Sequence, residues 1–130
     1  AQLFIIYYNR NIILPVEWKN YYNTLDYLMQ NEAGNLTSLN VACRKPLSYH
    51  LKSDYKIKTI GYPLTTDLEA AHNFMLENKI DYIVRDNFAI SGPHTAELYL
   101  DKYLEKYYNH LNLVYLSEDK KTALYKFQKQ

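Results

Sequence analysis

Short apolar runs alternate with segments of helical periodicity along this chain, and that alternation is its strongest constraint on the fold. It predicts a mostly parallel sheet, because parallel strands need long crossover connections that are usually helical. The runs at 113–116 and 122–127 are separated only by a short polar stretch, which instead predicts a closing hairpin. We therefore expect an α/β fold, a three-layer α/β/α sandwich with this antiparallel C-terminal hairpin at one edge of the sheet. The other expected strands are 39–43, 57–60 and 80–84, with the strands near 41, 58, 83 and 114 parallel.

Three long helices are predicted from apolar side chains at the i, i+3, i+4 and i+7 spacing of a buried face. The first covers residues 15–32, since Pro15 suits a first helical turn and Gly34 a helix end. The second begins at the capping box Thr-Asp-Leu-Glu at 66–69 and the third at Pro93, while a brief helical segment is expected at 47–52. The side chains expected to face inward are Leu68, Ala71, Met75 and Leu76 on the second helix and Ala96, Leu100, Tyr103, Leu104, Tyr107 and Tyr108 on the third.

The length of 130 residues corresponds to one ordinary domain, and neither a repeat nor a linker divides it. We expect residues 15–130 to form a single α/β domain. Residues 3–8 are apolar, and a run of this length suits either a strand or the last turns of a membrane helix. We expect residues 1–14 to be a tether or the end of a preceding membrane segment.

Charge is segregated along the chain although its net value is only +1. Residues 44–58 contain five basic side chains and one acidic, whereas residues 67–105 contain eight acidic and three basic. The small net charge does not call for nucleic acid as a partner, and we expect none. The single cysteine, Cys43, excludes an internal disulfide.

Polar and aromatic side chains follow each predicted parallel strand at its carboxyl end, where ligands bind in open α/β sheets. Arginine forks suit phosphate or carboxylate, and an aromatic ring beside Asp and Asn suits a sugar. The alternative is that these groups have structural roles, with Arg85 paired locally to Asp86 and Arg44 capping a helix end. The candidate ligand-binding residues are Arg44, Lys45, Tyr62, Arg85, Asp86 and Asn87.

Motifs for catalysis are missing. The four histidines lack metal-ligand spacing, Cys43 ends an apolar strand, and no glycine-rich phosphate loop or G-x-S-x-G elbow is present. We therefore expect no catalytic residue, no metal and no cofactor in this chain.

Several short motifs recur in an order that resembles a known domain type. They are E-W-K-N-Y at 17–21, C-R-K-P at 43–46, Y-P at 62–63, D-Y-I-V at 81–84, V-Y at 114–115 and L-Y-K at 124–126. This order, over about residues 15–128, resembles the C-terminal domain of polytopic glycosyltransferases of the dolichyl-phosphate-mannose protein mannosyltransferase and aminoarabinose transferase kind. The catalytic carboxylates of that family lie in loops between membrane helices, so none is transferred to a position here.

The resemblance implies a non-catalytic domain on the extracytoplasmic face of a membrane, periplasmic or extracellular. Its partners would be the membrane-embedded portion of the same parent chain and a lipid-linked sugar or glycan, whose access it would shape. The parent chain would be the glycosyltransferase. The alternative is a stand-alone carbohydrate- or phosphosugar-binding module that uses the basic cleft at the strand ends.

Overall fold

A computed structural model describes residues 16–32, 38–44, 57–87 and 95–128 of the chain. The expected tether at 1–14, the helical segment at 47–52 and the helix start at Pro93 lie outside the described residues.

The described helices follow the expected periodic segments. Helix α1 continues directly into a π-helical turn, and the third segment is two short helices instead of one long one. Backbone hydrogen bonds from Leu100 to Ala96 (2.8 Å) and from Leu104 to Leu100 (2.9 Å) run through this break. The elements are α1 (Val16–Tyr27), the π turn (Leu28–Glu32), α2 (Leu68–Glu77), α3 (Thr95–Tyr99), α4 (Asp101–Lys106) and a 3₁₀ turn (Tyr108–His110).

The cap of helix α2 lies one residue later than the capping box predicts. Asp67 has extended backbone angles, and its side chain accepts a hydrogen bond from the Ala70 N–H at 3.1 Å. The Asp67 N–H in turn donates to the Thr65 hydroxyl at 3.1 Å. The helix therefore begins at Leu68, with Asp67 in place of Thr66 as its N-cap.

The five described strands form one mixed sheet in the order β2-β1-β3-β5-β4. Strand β1 is parallel to both β2 and β3, and β5 is antiparallel to both β3 and β4. This confirms an α/β fold with a mostly parallel core and an antiparallel hairpin edge. Strand β4 has the expected direction but is hydrogen-bonded to β5 alone among the described strands. The strands are β1 (Leu39–Cys43), β2 (Ile57–Gly61), β3 (Tyr82–Arg85), β4 (Leu111–Leu116) and β5 (Ala123–Phe127).

Alternate side chains of the central strands belong to two different apolar clusters, as the two-residue period of a strand requires. Val41 and Val84 pack with Leu25 and Leu28 of the first helical segment. Ala42 and Ile83 instead pack with side chains from α2, α3 and α4. The first cluster consists of Tyr21, Tyr22, Leu25, Leu28, Met29, Leu39, Val41, Cys43, Tyr82, Val84 and Leu124. The second consists of Ala42, Tyr62, Ala71, Met75, Ile80, Ile83, Ala96, Leu100, Tyr103, Leu104 and Phe127.

Two of the expected inward-facing side chains are exposed. Leu76 is 41% exposed because it lies about 100° round the helix from the buried Met75. Tyr108 is 67% exposed, since α4 ends at Lys106 and helical spacing no longer applies beyond it. No helix among the described residues is long and apolar enough to cross a membrane.

Candidate functional site

The carboxyl ends of β1, β2 and β3 meet where the chain changes direction across the sheet. From β1 the chain passes to β2 on one side, and it later returns to β3 on the other side of β1. Such a switch point is where ligands bind in open α/β sheets. Arg44 follows β1, Tyr62 follows β2, and Asp86 and Asn87 follow β3. The structure therefore brings these predicted residues to one edge, which we call the carboxyl edge; Lys45 lies outside the described residues.

Tyr62 and Asp86 form a buried pair at this edge. The Tyr62 hydroxyl lies 3.4 Å from Asp86 Oδ2, Asp86 is fully buried and Tyr62 is 5% exposed. The Tyr62 N–H donates to the Cys43 carbonyl at 3.3 Å, which joins the ends of β1 and β2. Burial, followed by the Asp86 carboxylate, raises the pKa of Tyr62 far above its ordinary value, against smaller opposite effects of Arg44 and Arg85. The phenol is therefore protonated and donates a hydrogen bond to Asp86 Oδ2.

Arg44 connects the end of β1 to the start of α3. Its Nη1 donates to the Thr95 hydroxyl at 2.8 Å in a partly buried contact. The alternative predicted that Arg44 caps a helix end; the contact gives Arg44 a structural partner, but that partner is a side-chain hydroxyl and not the backbone of a helix end.

Arg85 is held by three partners. Its Nε and Nη2 donate to the two carboxylate oxygens of Asp101 at 3.0 and 2.9 Å. Its Nη1 donates to the backbone carbonyls of Asp86 (3.1 Å) and Lys121 (2.8 Å). The hydrogen bonds to Asp101 are the main reason why the pKa of Arg85 is raised. The structural alternative predicted a local ion pair with Asp86; the ion pair is made with Asp101 instead, which occupies the guanidinium fork.

A cleft of about 350 Å³ lies beside Arg85, between the α3–α4 segment and the closing hairpin. Asn87 is the second predicted residue in its lining. The acidic side chains Glu97 and Asp101 contribute from the helices, and Lys120 from the turn before β5. We call this the hairpin cleft; its described lining is Arg85, Asn87, Glu97, Asp101, Leu116, Lys120, Lys121, Ala123 and Tyr125.

Sequence reasoning missed most of this cleft. Residues 120–125 reach β3 only because β5 pairs with it, with Arg85 opposite Ala123. The i, i+4 spacing of Glu97 and Asp101 was the one available signal, and it is equally typical of a solvated helix face. Burial and then the Asp101 carboxylate raise the pKa of Tyr125, so its phenol is also protonated in the cleft wall.

A cluster of aromatic rings lies away from the carboxyl edge, between α2, α4 and β5. His72 Nδ1 lies 2.9 Å from the Tyr103 hydroxyl, and the His72 ring stacks on Tyr107 at 4.1 Å between centroids. The His110 ring centroid is 4.9 Å from that of His72. Burial, followed by His110, lowers the pKa of His72. No group of three or more His, Cys, Asp or Glu side chains that could hold a metal ion occurs in the described part of the chain.

Comparison with protein-family models, with curated proteins and with solved structures found no match for this chain. Function is therefore inferred from the motifs in the sequence and from the geometry of the carboxyl edge and the hairpin cleft.

Proposed function

We propose that this chain is the non-catalytic extracytoplasmic domain of a membrane glycosyltransferase that uses a lipid-linked sugar donor. In this proposal the domain contacts the membrane-embedded portion of its own parent chain and shapes the access of acceptor or donor. The sequence motifs that resemble this family are the starting point, and the carboxyl edge supplies the observation that supports it.

That observation is the convergence of three motifs that are distant in sequence. Cys43 and Arg44, the described part of the C-R-K-P motif, lie at the end of β1; the Y-P motif follows β2, and the D-Y-I-V motif includes most of β3. Parallel pairing brings the ends of the three strands together. Tyr62 is hydrogen-bonded to Cys43 of the first motif and to Asp86, two residues beyond the D-Y-I-V motif. The motifs therefore form one structural unit, as expected of a domain type in which they occur together.

The bonding at this edge supports a structural rather than a catalytic role. A catalytic group must reach the reacting atoms, whereas Asp86 and Tyr62 are buried. Arg44 and Arg85 donate to groups of the domain itself. Tyr62, Arg44 and Arg85 each connect two parts of the fold near the carboxyl edge, as side chains with a structural role do.

We also propose that the fold is a three-layer α/β/α sandwich. The two apolar clusters support this arrangement, because alternate residues of β1 and β3 contribute to different clusters. The first cluster contains α1 residues and the second contains α2, α3 and α4 residues. One helical layer on each face of the sheet explains why alternate strand residues pack with different helices.

The second candidate is a stand-alone carbohydrate- or phosphosugar-binding module. The hairpin cleft favours it, since about 350 Å³ lies within the roughly 300–1,000 Å³ typical of ligand pockets. The two proposals differ in context: the module would bind sugar as an independent protein, without a membrane-embedded portion.

Sugar transfer by the parent enzyme, measured in isolated membranes with a lipid-linked donor, tests the non-catalytic role. Tyr62→Phe removes the buried hydroxyl but keeps the ring, so we expect turnover within about threefold of the unchanged enzyme, a loss equivalent to less than ~1 kcal/mol. The matched control is Tyr99→Phe, on the short helix α3. A loss of more than about a hundredfold, or ~2.7 kcal/mol, for Tyr62→Phe alone would assign chemistry to this domain and contradict the proposal.

A further inference from the structure

We infer that the hairpin cleft binds an uncharged, hydroxyl-rich sugar and does not recognise a phosphosugar through Arg85. The inference deepens the proposed function and rests on it in one respect, that the ligand of this domain is a sugar. It specifies the chemical class of that sugar. It also places the binding site beside β5 and not at Arg44 and Tyr62.

Arg85 is the first part of the argument. Bidentate recognition of a phosphate requires both outward N–H groups of a guanidinium fork. In this structure Asp101 occupies that fork with bonds of 3.0 and 2.9 Å, and two backbone carbonyls hold Nη1. The Arg85 side chain is only 16% exposed, so a phosphate would have to displace Asp101 to reach it.

The remaining charges are the second part. Besides Arg85 and Asp101, the charged side chains in the described lining are Lys120, Lys121 and Glu97. Both lysines are exposed, and an exposed ammonium is strongly hydrated and free to move, so it makes a poor preorganised anion site. Glu97 would repel a phosphate in the same cleft. The cleft is thus mixed in sign and does not favour an anion.

Hydroxyl groups match the lining better than phosphate does. A sugar hydroxyl both donates and accepts, so it can donate to the carboxylates of Glu97 and Asp101 and accept from the Lys120 ammonium. Asn87 offers both functions in one side chain. Tyr125 adds an aromatic ring with a protonated hydroxyl, a surface that suits the apolar C–H face of a pyranose. The volume of about 350 Å³ lies at the lower end of the roughly 300–1,000 Å³ range of small-ligand sites.

The test is a titration of the ¹⁵N-labelled chain followed by NMR, which reports both folding and the location of binding. The neutral probes are the methyl glycosides of mannose, galactose, glucose, N-acetylglucosamine, xylose and fucose; the anionic probes are mannose 1-phosphate and inorganic phosphate. We expect millimolar binding of at least one neutral glycoside, with amide shifts around Asn87, Glu97 and Lys120. Mannose 1-phosphate should bind no more tightly than methyl mannoside.

Four variants, one of them a control, make this test more specific. Asn87→Ala and Glu97→Gln should each weaken the binding of the neutral glycoside by about fivefold or more, equivalent to ~1 kcal/mol. Glu105→Gln, on helix α4 but outside the cleft lining, is the matched control and should bind as the unchanged chain does. Asp101→Asn should release the Arg85 fork and raise the affinity for mannose 1-phosphate relative to methyl mannoside.

Each outcome decides the inference. Tighter binding of mannose 1-phosphate than of every neutral glycoside by the unchanged chain would overturn it, as would shifts outside the cleft or none with any neutral probe. The proposed function is tested by a separate measurement, and a gene product that is not membrane-bound would contradict it. Neutral sugar binding by such a product would leave the cleft inference standing.

Discussion

For Arg85, the sequence predicts the position in the fold correctly but not the side chain with which it pairs. The sequence places it at the carboxyl end of β3, and the structure agrees. Its guanidinium nevertheless binds Asp101, sixteen residues later, because α4 returns to the sheet at this point. Such a contact depends on how the helix packs against the sheet, and the spacing of residues along the sequence does not predict that packing.

The Arg85–Asp101 pair should contribute measurably to stability. Asp101→Asn removes the charge opposite a largely buried guanidinium, but Asp101 itself is 40% exposed, so solvent screens part of the interaction. We expect the free energy of unfolding to fall by about 1–2 kcal/mol, measured by urea denaturation. Glu105→Gln on the same helix should change it by less than about 0.5 kcal/mol. Equal effects of the two substitutions would show that the pair contributes nothing beyond a surface charge.

His72 should make stability depend on pH. Its pKa is lowered from 6.5 in the folded chain, first by burial and then by His110, so the folded state binds a proton less readily than the unfolded state. Stability contributed by neutral His72 is therefore present above pH 6.5 and is lost as the pH falls below it. We expect the urea midpoint to decrease from pH 7 to pH 5, and His72→Gln to reduce that decrease. An unchanged pH dependence in this variant would exclude His72 as its source.

At the scale of elements, the sequence predicts the described strands well because their signal is local. Apolar runs at 39–43 and 80–84 become buried central strands because both of their faces are covered. The third helical segment is predicted less well, since Leu100 interrupts it without a proline or glycine to mark the place.

The cap of α2 provides a direct test at this scale. Asp67→Ala removes the acceptor for the Ala70 N–H, and we expect it to lower the free energy of unfolding by about 1 kcal/mol. Thr66→Ala, the cap predicted by the capping box, should change it by less than about 0.5 kcal/mol. Thermal or urea denaturation of both variants distinguishes the two caps. A larger loss for Thr66→Ala than for Asp67→Ala would support Thr66 as the N-cap and contradict this account.

At the scale of the whole molecule, parallel pairing explains why only part of the candidate site could be predicted. Arg44, Tyr62 and Asp86 are placed together by the rule that parallel strands share a carboxyl edge. Lys120 and Tyr125 join the hairpin cleft through the pairing of β3 with β5, and the sequence specifies neither that partner nor its register. Glu97 joins it from helix α3, whose packing on the sheet local spacing does not reveal. The fold class was therefore predictable, and the position of the cleft was not.

The two apolar clusters predict additive effects of core substitutions. Leu25→Ala in the first cluster and Met75→Ala in the second each remove a fully buried side chain and should each cost about 2–5 kcal/mol. Because the sheet separates the clusters in the proposed three-layer arrangement, the loss in the double variant should equal the sum of the two single losses within about 0.5 kcal/mol, measured by urea denaturation. Leu76→Ala, at an exposed position, is the control. A coupling above about 1 kcal/mol would show that the two side chains share one core.

Membrane partitioning of the native gene product tests the central claim most directly. The native gene is expressed with a C-terminal tag, membranes are washed with alkaline carbonate, and the tagged product is measured by mass and by protease accessibility from outside the cell. The proposed function predicts a product several-fold heavier than 15.5 kDa that stays with the membranes, with its tag on the extracytoplasmic side. A product near 15.5 kDa that carbonate releases, or a tag protected on the cytoplasmic side, would contradict it.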